Sequence, residues 1–226
     1  MGHLRALVAL LVAGLVCVAM AATASAREGG ASHEFVGNVS SEIGLFTSEQ
    51  ELDLAPIVIH CKGVKPARTG KKTVFPALKI LVVAKLIKCK TVAFKANNVS
   101  FAASKATVGE PLEIEYRAGG EPNATIDNSS PVRITFAGAL EGCVVSLSPT
   151  DPTNEVTYTN SEVKAKNVKY FPTGVQHVVS IANGFEKVTY TMGGGPCERL
   201  HRTQGKEGEW FGTLIAGLKT GNLSWE

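Results

Sequence analysis

Short β-branched runs, each ended by Gly, Pro, Asn or Asp, make up most of the chain after residue 32. Punctuation at such steady intervals is typical of β-sandwiches and barrels, because the turn residues end each segment at strand length. We therefore expect an all-β protein with an antiparallel, sandwich-like (immunoglobulin-like) architecture. The predicted strands are His33–Val39, Ile57–Val64, Leu112–Arg117, Val132–Ala137, Cys143–Ser148, Glu155–Thr159, Val163–Tyr170, Val175–Ala182, Lys187–Met192 and Trp210–Ala216.

The segment Ala77–Lys90 fits two secondary structures. Its apolar residues recur at intervals that also suit one face of a helix. Three β-branched residues in its centre, Val82, Val83 and Ile87, favour a strand. We favour the strand over the helix.

A Gly- and Pro-containing stretch at Arg117–Pro131 interrupts the apolar pattern. A structureless loop of this length is uncommon inside one domain. We therefore predict two β units, an N-terminal unit over residues 27–117 and a C-terminal sandwich unit over residues 118–226. The alternative is a single sandwich in which this stretch is a long loop.

The first 26 residues have the three parts of a secretory signal peptide. Arg5 precedes an apolar run from Ala6 to Ala22, and Ala24-Ser25-Ala26 supplies the small residues of a cleavage site. The alternative is a membrane anchor, but the run is at the short edge of a spanning helix. We expect cleavage before Arg27, release as a secreted, extracellular protein, and no integral membrane segment afterwards.

Four cysteines remain after cleavage, because Cys17 leaves with the signal peptide. An even number in an exported chain indicates disulfides, and three connectivities are open. We favour Cys61–Cys89 and Cys143–Cys197, since each closes a loop within its own half of the chain. The two closures are worth about 3.5 and about 4 kcal/mol in loop entropy.

The charge of the mature chain is nearly balanced, with 22 Lys and Arg against 20 Asp and Glu. The densest basic run, formed by Lys62, Lys65, Arg68, Lys71 and Lys72, looks like a solvated loop. Nucleic-acid binding would require a basic stripe with interleaved aromatic residues, which is missing here. We expect no nucleic-acid partner, and consider contact with a cell surface or a polysaccharide instead.

Metal sites have only weak support in the sequence. His60-Cys61 and Cys197 with His201 resemble zinc ligands, but export would oxidise the two thiols. The oxygen-rich segment Asp151–Glu155 would suit calcium, yet it is better explained as a turn. We expect no metal and no cofactor.

Catalytic motifs are equally weak, and no residue is assigned a catalytic role. The glycine run Met192–Cys197 is followed by Pro and Cys rather than by a phosphate-binding helix, and is best explained as a hinge that lets Cys197 reach its partner. Adjacent aromatic residues, Trp210 and Phe211, should point to opposite faces of a strand, one into the core and one outward. Acid pairs at alternating spacing, typical of the solvent face of a strand, occur at Glu113 and Glu115 and at Glu207 and Glu209.

Asn-x-Ser/Thr triplets occur five times and would accept glycans in a eukaryotic secretory pathway. Chance also produces them in an exported β protein rich in Ser, Thr and Asn. They lie at Asn38, Asn98, Asn123, Asn128 and Asn222.

Several short motifs resemble a group of secreted proteins. They are Ile59–Gly63, Gly142–Val145, Val156–Asn160, Val168–Tyr170, and Cys197 before Gly208–Gly212. Their order is similar to that in uncharacterised secreted β-rich proteins of high-GC Gram-positive bacteria. The resemblance implies export, paired cysteines and β structure, and no activity.

The sequence therefore leads to a secreted, non-catalytic binding module with an unknown ligand. Two alternatives remain open: a structural envelope or matrix protein without a specific ligand, and an extracellular hydrolase whose site has no recognisable motif.

Overall fold

The computed structural model describes residues 33–38, 40–46, 49–67, 72–148, 155–165, 174–200 and 206–226. The predicted signal peptide, residues 1–26, lies outside these ranges. So do the basic residues Arg68 and Lys71, residues 151–154 of the predicted turn, and His201. In the described part of the chain, no helix is long and apolar enough to cross a membrane.

Regular structure in these ranges is almost entirely β, which confirms the predicted class. Two short 3-10 helices lie at Gly138–Leu140 and Gly195–Leu200. The strands in chain order are β1 Phe35–Val36, β2 Ser40–Ser41, β3 Ile43–Phe46, β4 Gln50–Leu54, β5 Ile57–Pro66, β6 Thr73–Val74, β7 Lys79–Thr91, β8 Phe94–Ala96, β9 Val99–Phe101, β10 Lys105–Val108, β11 Leu112–Arg117, β12 Asn123–Ile126, β13 Val132–Ala137, β14 Val144–Leu147, β15 Glu155–Ala165, β16 Gly174–Gly193, β17 Lys206–Leu218 and β18 Ser224–Trp225.

Eight antiparallel strands close into a barrel in the order β10, β13, β14, β16, β17, β4, β5 and β7. The last strand pairs with the first through Lys105 opposite Lys90 and Ala106 opposite Cys89. A sandwich consists of two separate sheets, whereas here the pairing returns to its starting strand. The fold is therefore a closed barrel with outer strands, and not the immunoglobulin-like sandwich expected from the sequence.

Three barrel strands also pair with outer strands. β7 pairs with β11, which is followed by β12; β16 pairs with β15, and β17 with β3. The Tyr158 hydroxyl on β15 donates a hydrogen bond to the Arg117 carbonyl oxygen at the end of β11, over 2.9 Å. Burial raises the pKa of this hydroxyl far above its ordinary value, so it stays a donor at all physiological pH values. One buried side chain thus ties two outer strands together.

The structure has no division at residues 117/118. Strands from the two predicted units pair with one another, β10 with β13 and β4 with β17, and Ser32–Glu226 forms one compact unit. The Gly- and Pro-containing stretch that predicted a boundary contains β12 instead. Its residues Asn123–Ile126 pair with Ile114–Arg117 of β11.

In the interior, the buried polar side chain of Gln50 links two strands through hydrogen bonds. Gln50 of β4 is 1% exposed, and its Oε1 accepts a hydrogen bond of 3.0 Å from the indole Nε1 of Trp210 on β17. Its Nε2 donates to the Thr213 carbonyl oxygen over 3.0 Å. The Trp210 ring also stacks on Phe185, with 5.0 Å between ring centres. Because its polar groups are paired, Gln50 can be buried without leaving an unsatisfied donor or acceptor.

Both disulfides form as predicted. Cys61 and Cys89 face each other on β5 and β7, with Cα atoms 3.9 Å apart. This pairing also answers the question of Ala77–Lys90, which is a strand from Lys79 onward. The second disulfide, between Cys143 and Cys197, joins the chain just after one 3-10 helix to the other, with a Cα separation of 5.2 Å.

The glycine run before Cys197 packs directly on the backbone at Gly142. Gly194 and Gly195 have φ values of +76° and +49°, in the left-handed region that favours glycine. A Cβ atom on Gly194 would lie 2.6 Å from the Gly142 carbonyl oxygen. The run thus serves close backbone packing beside the second disulfide, and the absence of side chains is what permits it.

Gly194→Ala should therefore lower the free energy of unfolding by about 1–3 kcal/mol, through backbone strain and the contact with Gly142. Gly193→Ala is the matched control, because a Cβ atom at Gly193 has no heavy atom within 4 Å. Urea denaturation of both variants gives the comparison. Equal midpoints would contradict the packing described here.

Candidate functional site

The residues considered for zinc binding do not form a site in the structure. Cys61 and Cys197 belong to different disulfides, and His201 lies outside the described residues. The His60 side chain is half-exposed on β5, with Nε2 3.4 Å from Glu51 Oε2. Within the described ranges, no group of three or more His, Cys, Asp or Glu side chains is placed to hold a metal.

A second histidine lies beside a carboxylate in a shallow cavity. His177 Nδ1 is 3.4 Å from Glu162 Oε1, and the cavity of about 450 Å³ is also lined by Ser161 and Ser224. The Ser224 hydroxyl bonds to Glu226 over 3.1 Å, and in the described part of the chain no serine hydroxyl bonds to the His177 ring. A nucleophile needs hydrogen-bond contact with its base. The pair therefore lacks the arrangement of a hydrolase triad.

The predicted alternation of Trp210 and Phe211 is confirmed, with exposures of 1% and 41%. The acids predicted on strand surfaces include Glu115, which accepts from Lys79 and Arg117 at 2.8–2.9 Å. Burial alone would raise the pKa of Glu115, but the two cations outweigh it and the net pKa is lowered. This carboxylate is thus fully used in ion pairs.

Six exposed lysines lie together on three neighbouring barrel strands, and we call them the lysine face. Two pairs are directly opposed across the ladders: Lys65 faces Lys85, and Lys105 faces Lys90. None of the six has a carboxylate within 4.0 Å among the described residues. The lysine face consists of Lys62 and Lys65 on β5, Lys85, Lys88 and Lys90 on β7, and Lys105 on β10.

The strand assignment differs from the loop expected for the basic run in the sequence. Lys62 and Lys65 lie on β5. The two neighbours of Lys62, Cys61 and Gly63, pair with Cys89 and Ile87, which are the two neighbours of Lys88 on β7. β5 therefore adds its charges to those of β7. The lysines of β7 and β10 were not recognised as a site from the sequence.

A groove of about 550 Å³ runs beside β7 and carries four of these lysines. It lies where β7 is unpaired on one edge, since residues 79–84 pair with β11 and only Cys89 and Lys90 pair with β10. The apolar part of its lining is largely buried, with Leu86 and Val108 each 3% exposed, and Thr107 beside them is exposed. The groove thus combines a cationic rim, an apolar part and a free strand edge.

Two lysines elsewhere on the surface are neutralised, whereas Lys72, Lys95, Lys164 and Lys187 are scattered and have no carboxylate within 4.0 Å among the described residues. Lys79 pairs with Glu115 at 2.9 Å, and Lys219 pairs with Glu42 at 3.5 Å. Like charges placed directly opposite each other destabilise a strand pair. The seam between β7 and β10 contains such a pair, Lys105 and Lys90. The two strands are held together beside this pair by two hydrogen bonds between Thr91 and Ser104, both of 2.8 Å. The lysine face is therefore a local excess of positive charge on a chain whose total charge is small.

Comparison with protein-family models, with curated proteins and with solved structures finds no match to this chain. The chemistry of the lysine face is therefore the feature of this chain that bears on its function.

Lys105→Gln should stabilise the protein at low ionic strength, by a few tenths of a kcal/mol to about 1 kcal/mol, because it removes the repulsion across the seam. Salt at about 1 M should abolish the difference by screening. The control is Lys187→Gln on β16, three strands away from β10 in the barrel, which removes an exposed lysine that also has no ion pair among the described residues. Urea midpoints at two salt concentrations are the measurement, and a destabilised Lys105→Gln protein would refute repulsion at the seam.

Proposed function

We propose that this protein is an exported, non-catalytic binding module whose lysine face binds an anionic polymer. The observation that carries the proposal is the set of six exposed lysines without carboxylate partners, four of them around one groove. Lysines without carboxylate partners repel one another and so destabilise the fold. A bound anionic ligand would remove this repulsion. The predicted signal peptide and the two disulfides agree with an oxidising, extracellular environment.

A polymer suits the lysine face better than a small anion does. Small anions are usually held by converging donors, such as the fork of an arginine or a set of backbone N–H groups. Lysines are flexible point charges, and here they spread over three strands. Many weak contacts along a chain then add up to useful affinity, with a strong dependence on salt.

Export can be tested directly. Expression of the full chain in a secreting host should give a released protein that begins at Arg27, because the Ala24-Ser25-Ala26 site precedes it. N-terminal sequencing or intact mass measures the start. A cell-associated protein that begins at Met1 would contradict export.

Binding can be tested with dextran sulfate, using neutral dextran as the matched probe. Replacing Lys88, Lys90 and Lys105 by Gln removes three exposed charge contacts of about 0.5 kcal/mol each, and so should weaken binding roughly tenfold. The salt dependence should also become shallower, since fewer counterions are released. Isothermal titration or fluorescence anisotropy at several salt concentrations provides both values.

The control is the triple variant Lys164→Gln, Lys187→Gln and Lys219→Gln, which loses the same net charge outside the lysine face. It should bind like the parent protein. Equal weakening by the two triple variants would mean that net charge alone drives binding, and the proposal of a defined face would fail.

A further inference from the structure

The lysine face includes residues that regular strands would turn to opposite sides. Lys85 and Lys90 are five residues apart on β7, and Lys62 and Lys65 are three residues apart on β5. Side chains an odd number of residues apart point to opposite faces of a regular strand. All four lysines are nevertheless exposed. The side chains must therefore change face inside each of the two strands, and we call this change the face reversal.

The pattern of burial locates the face reversal at Lys88. The most deeply buried positions of β7 change from even-numbered to odd-numbered residues, and neither Ile87 nor Lys88 between them is buried. β5 changes at the same level, because Gly63 and Val64 are buried in succession and pair with Ile87 and Leu86. The buried residues of β7, each at most 4% exposed, are Ile80, Val82, Ala84 and Leu86 before the reversal and Cys89 and Thr91 after it.

Backbone hydrogen bonds place the reversal in the same part of β7. The Val83 carbonyl oxygen accepts a hydrogen bond from the Ala67 N–H, on the side of β5, over 2.8 Å. The Thr91 N–H donates to the Ser104 carbonyl oxygen, on the side of β10, also over 2.8 Å. Residues an even number apart in a regular strand direct their backbone groups to the same edge. Val83 and Thr91 are eight residues apart, so the strand reverses its edges between them.

The backbone of Lys88 is the local cause of the reversal. Its φ of +54° lies in the left-handed region, which is disfavoured for a residue with a Cβ atom. Asn97 and Asn98 are the other described non-glycine residues with positive φ, and they lie in a tight turn, where asparagine is favoured. Lys88 lies inside a strand instead. Glycine or asparagine would suit this backbone better, so stability does not explain a lysine here, and strain of this kind is concentrated at functional sites.

Lys88 also occupies the centre of the lysine face. Lys85 and Lys90 flank it along β7, and Lys62 lies beside it on β5. Lys65 lies opposite Lys85, at one end of the face. The electrostatic potentials of like charges add, so the potential of the cluster is highest near its centre. Removal of the charge of Lys88 should therefore lower this potential more than removal of a charge at the end.

We propose that Lys88 is the residue that determines the affinity of the lysine face, an inference that rests on the proposed function. Its left-handed backbone brings lysines from both sides of the reversal onto one surface. Its amino group is the central contact for the anionic polymer.

The binding test compares Lys88→Gln with Lys65→Gln, which remove equal charge from the centre and from one end of the face. Exposed charge contacts span a range of strengths, so Lys88→Gln should weaken dextran sulfate binding about fivefold and Lys65→Gln less than about twofold. Isothermal titration gives both affinities. Equal weakening would overturn the inference and leave an anion-binding face in place. If the parent protein does not bind dextran sulfate, the proposed function fails and the inference fails with it.

The backbone test adds Lys88→Gly, which loses the same charge as Lys88→Gln and should bind dextran sulfate equally weakly. Its urea midpoint should be higher than that of Lys88→Gln by roughly 0.5 M, because glycine adopts a positive φ without strain. The matched control is Lys164, an exposed residue in the regular ladder opposite Val175. There glycine should give a lower midpoint than glutamine, because glycine weakens a regular strand. A lower midpoint for Lys88→Gly than for Lys88→Gln would overturn the role of this backbone and the inference with it.

Discussion

The short ladder between β7 and β10 is the contact on which the closed barrel depends. Only two residue pairs form it, Lys105 with Lys90 and Ala106 with Cys89. Two hydrogen bonds between Thr91 and Ser104 extend it by one step. Without this ladder the strands would form an open sheet that ends at β10 on one side and, through β7 and β11, at β12 on the other.

This seam is also where the sequence departs from what stability alone would favour. A lysine opposite a lysine opposes closure, and neutral or opposite charges would close the barrel better. The Cys61–Cys89 disulfide holds β7 against β5 next to the seam, so one flank of β7 is covalently fixed. Local rules are most often broken at functional sites, with compensation supplied nearby. The lysine face fits that pattern, because the disulfide and the Thr91–Ser104 bonds offset the repulsion of a charge arrangement that the proposed binding would use.

Local patterns in the sequence predicted part of the fold but did not predict the closure of the barrel. Alternation gave Leu112–Arg117 and Val132–Ala137 with the correct bounds, and the position of each cysteine pair within one half of the chain gave both disulfides. Strand order depends on contacts distant in sequence, which periodicity does not encode. The Gly and Pro residues of Arg117–Pro131 indicated a boundary, yet a strand of four residues lies between them, because pairing with β11 overrides local propensity.

The lysine face shows the same limit for function. Its members come from three segments, residues 62–65, 85–90 and 105, and in each segment they look like the ordinary solvent face of a strand. The nearly balanced total charge also conceals these lysines, because acidic residues elsewhere in the sequence cancel their charge in the total. A field depends on where charges lie. The barrel brings these segments side by side, and no described carboxylate lies within 4.0 Å of the six amino groups. Recognition of the site therefore required the strand register, and the register follows from how the barrel closes.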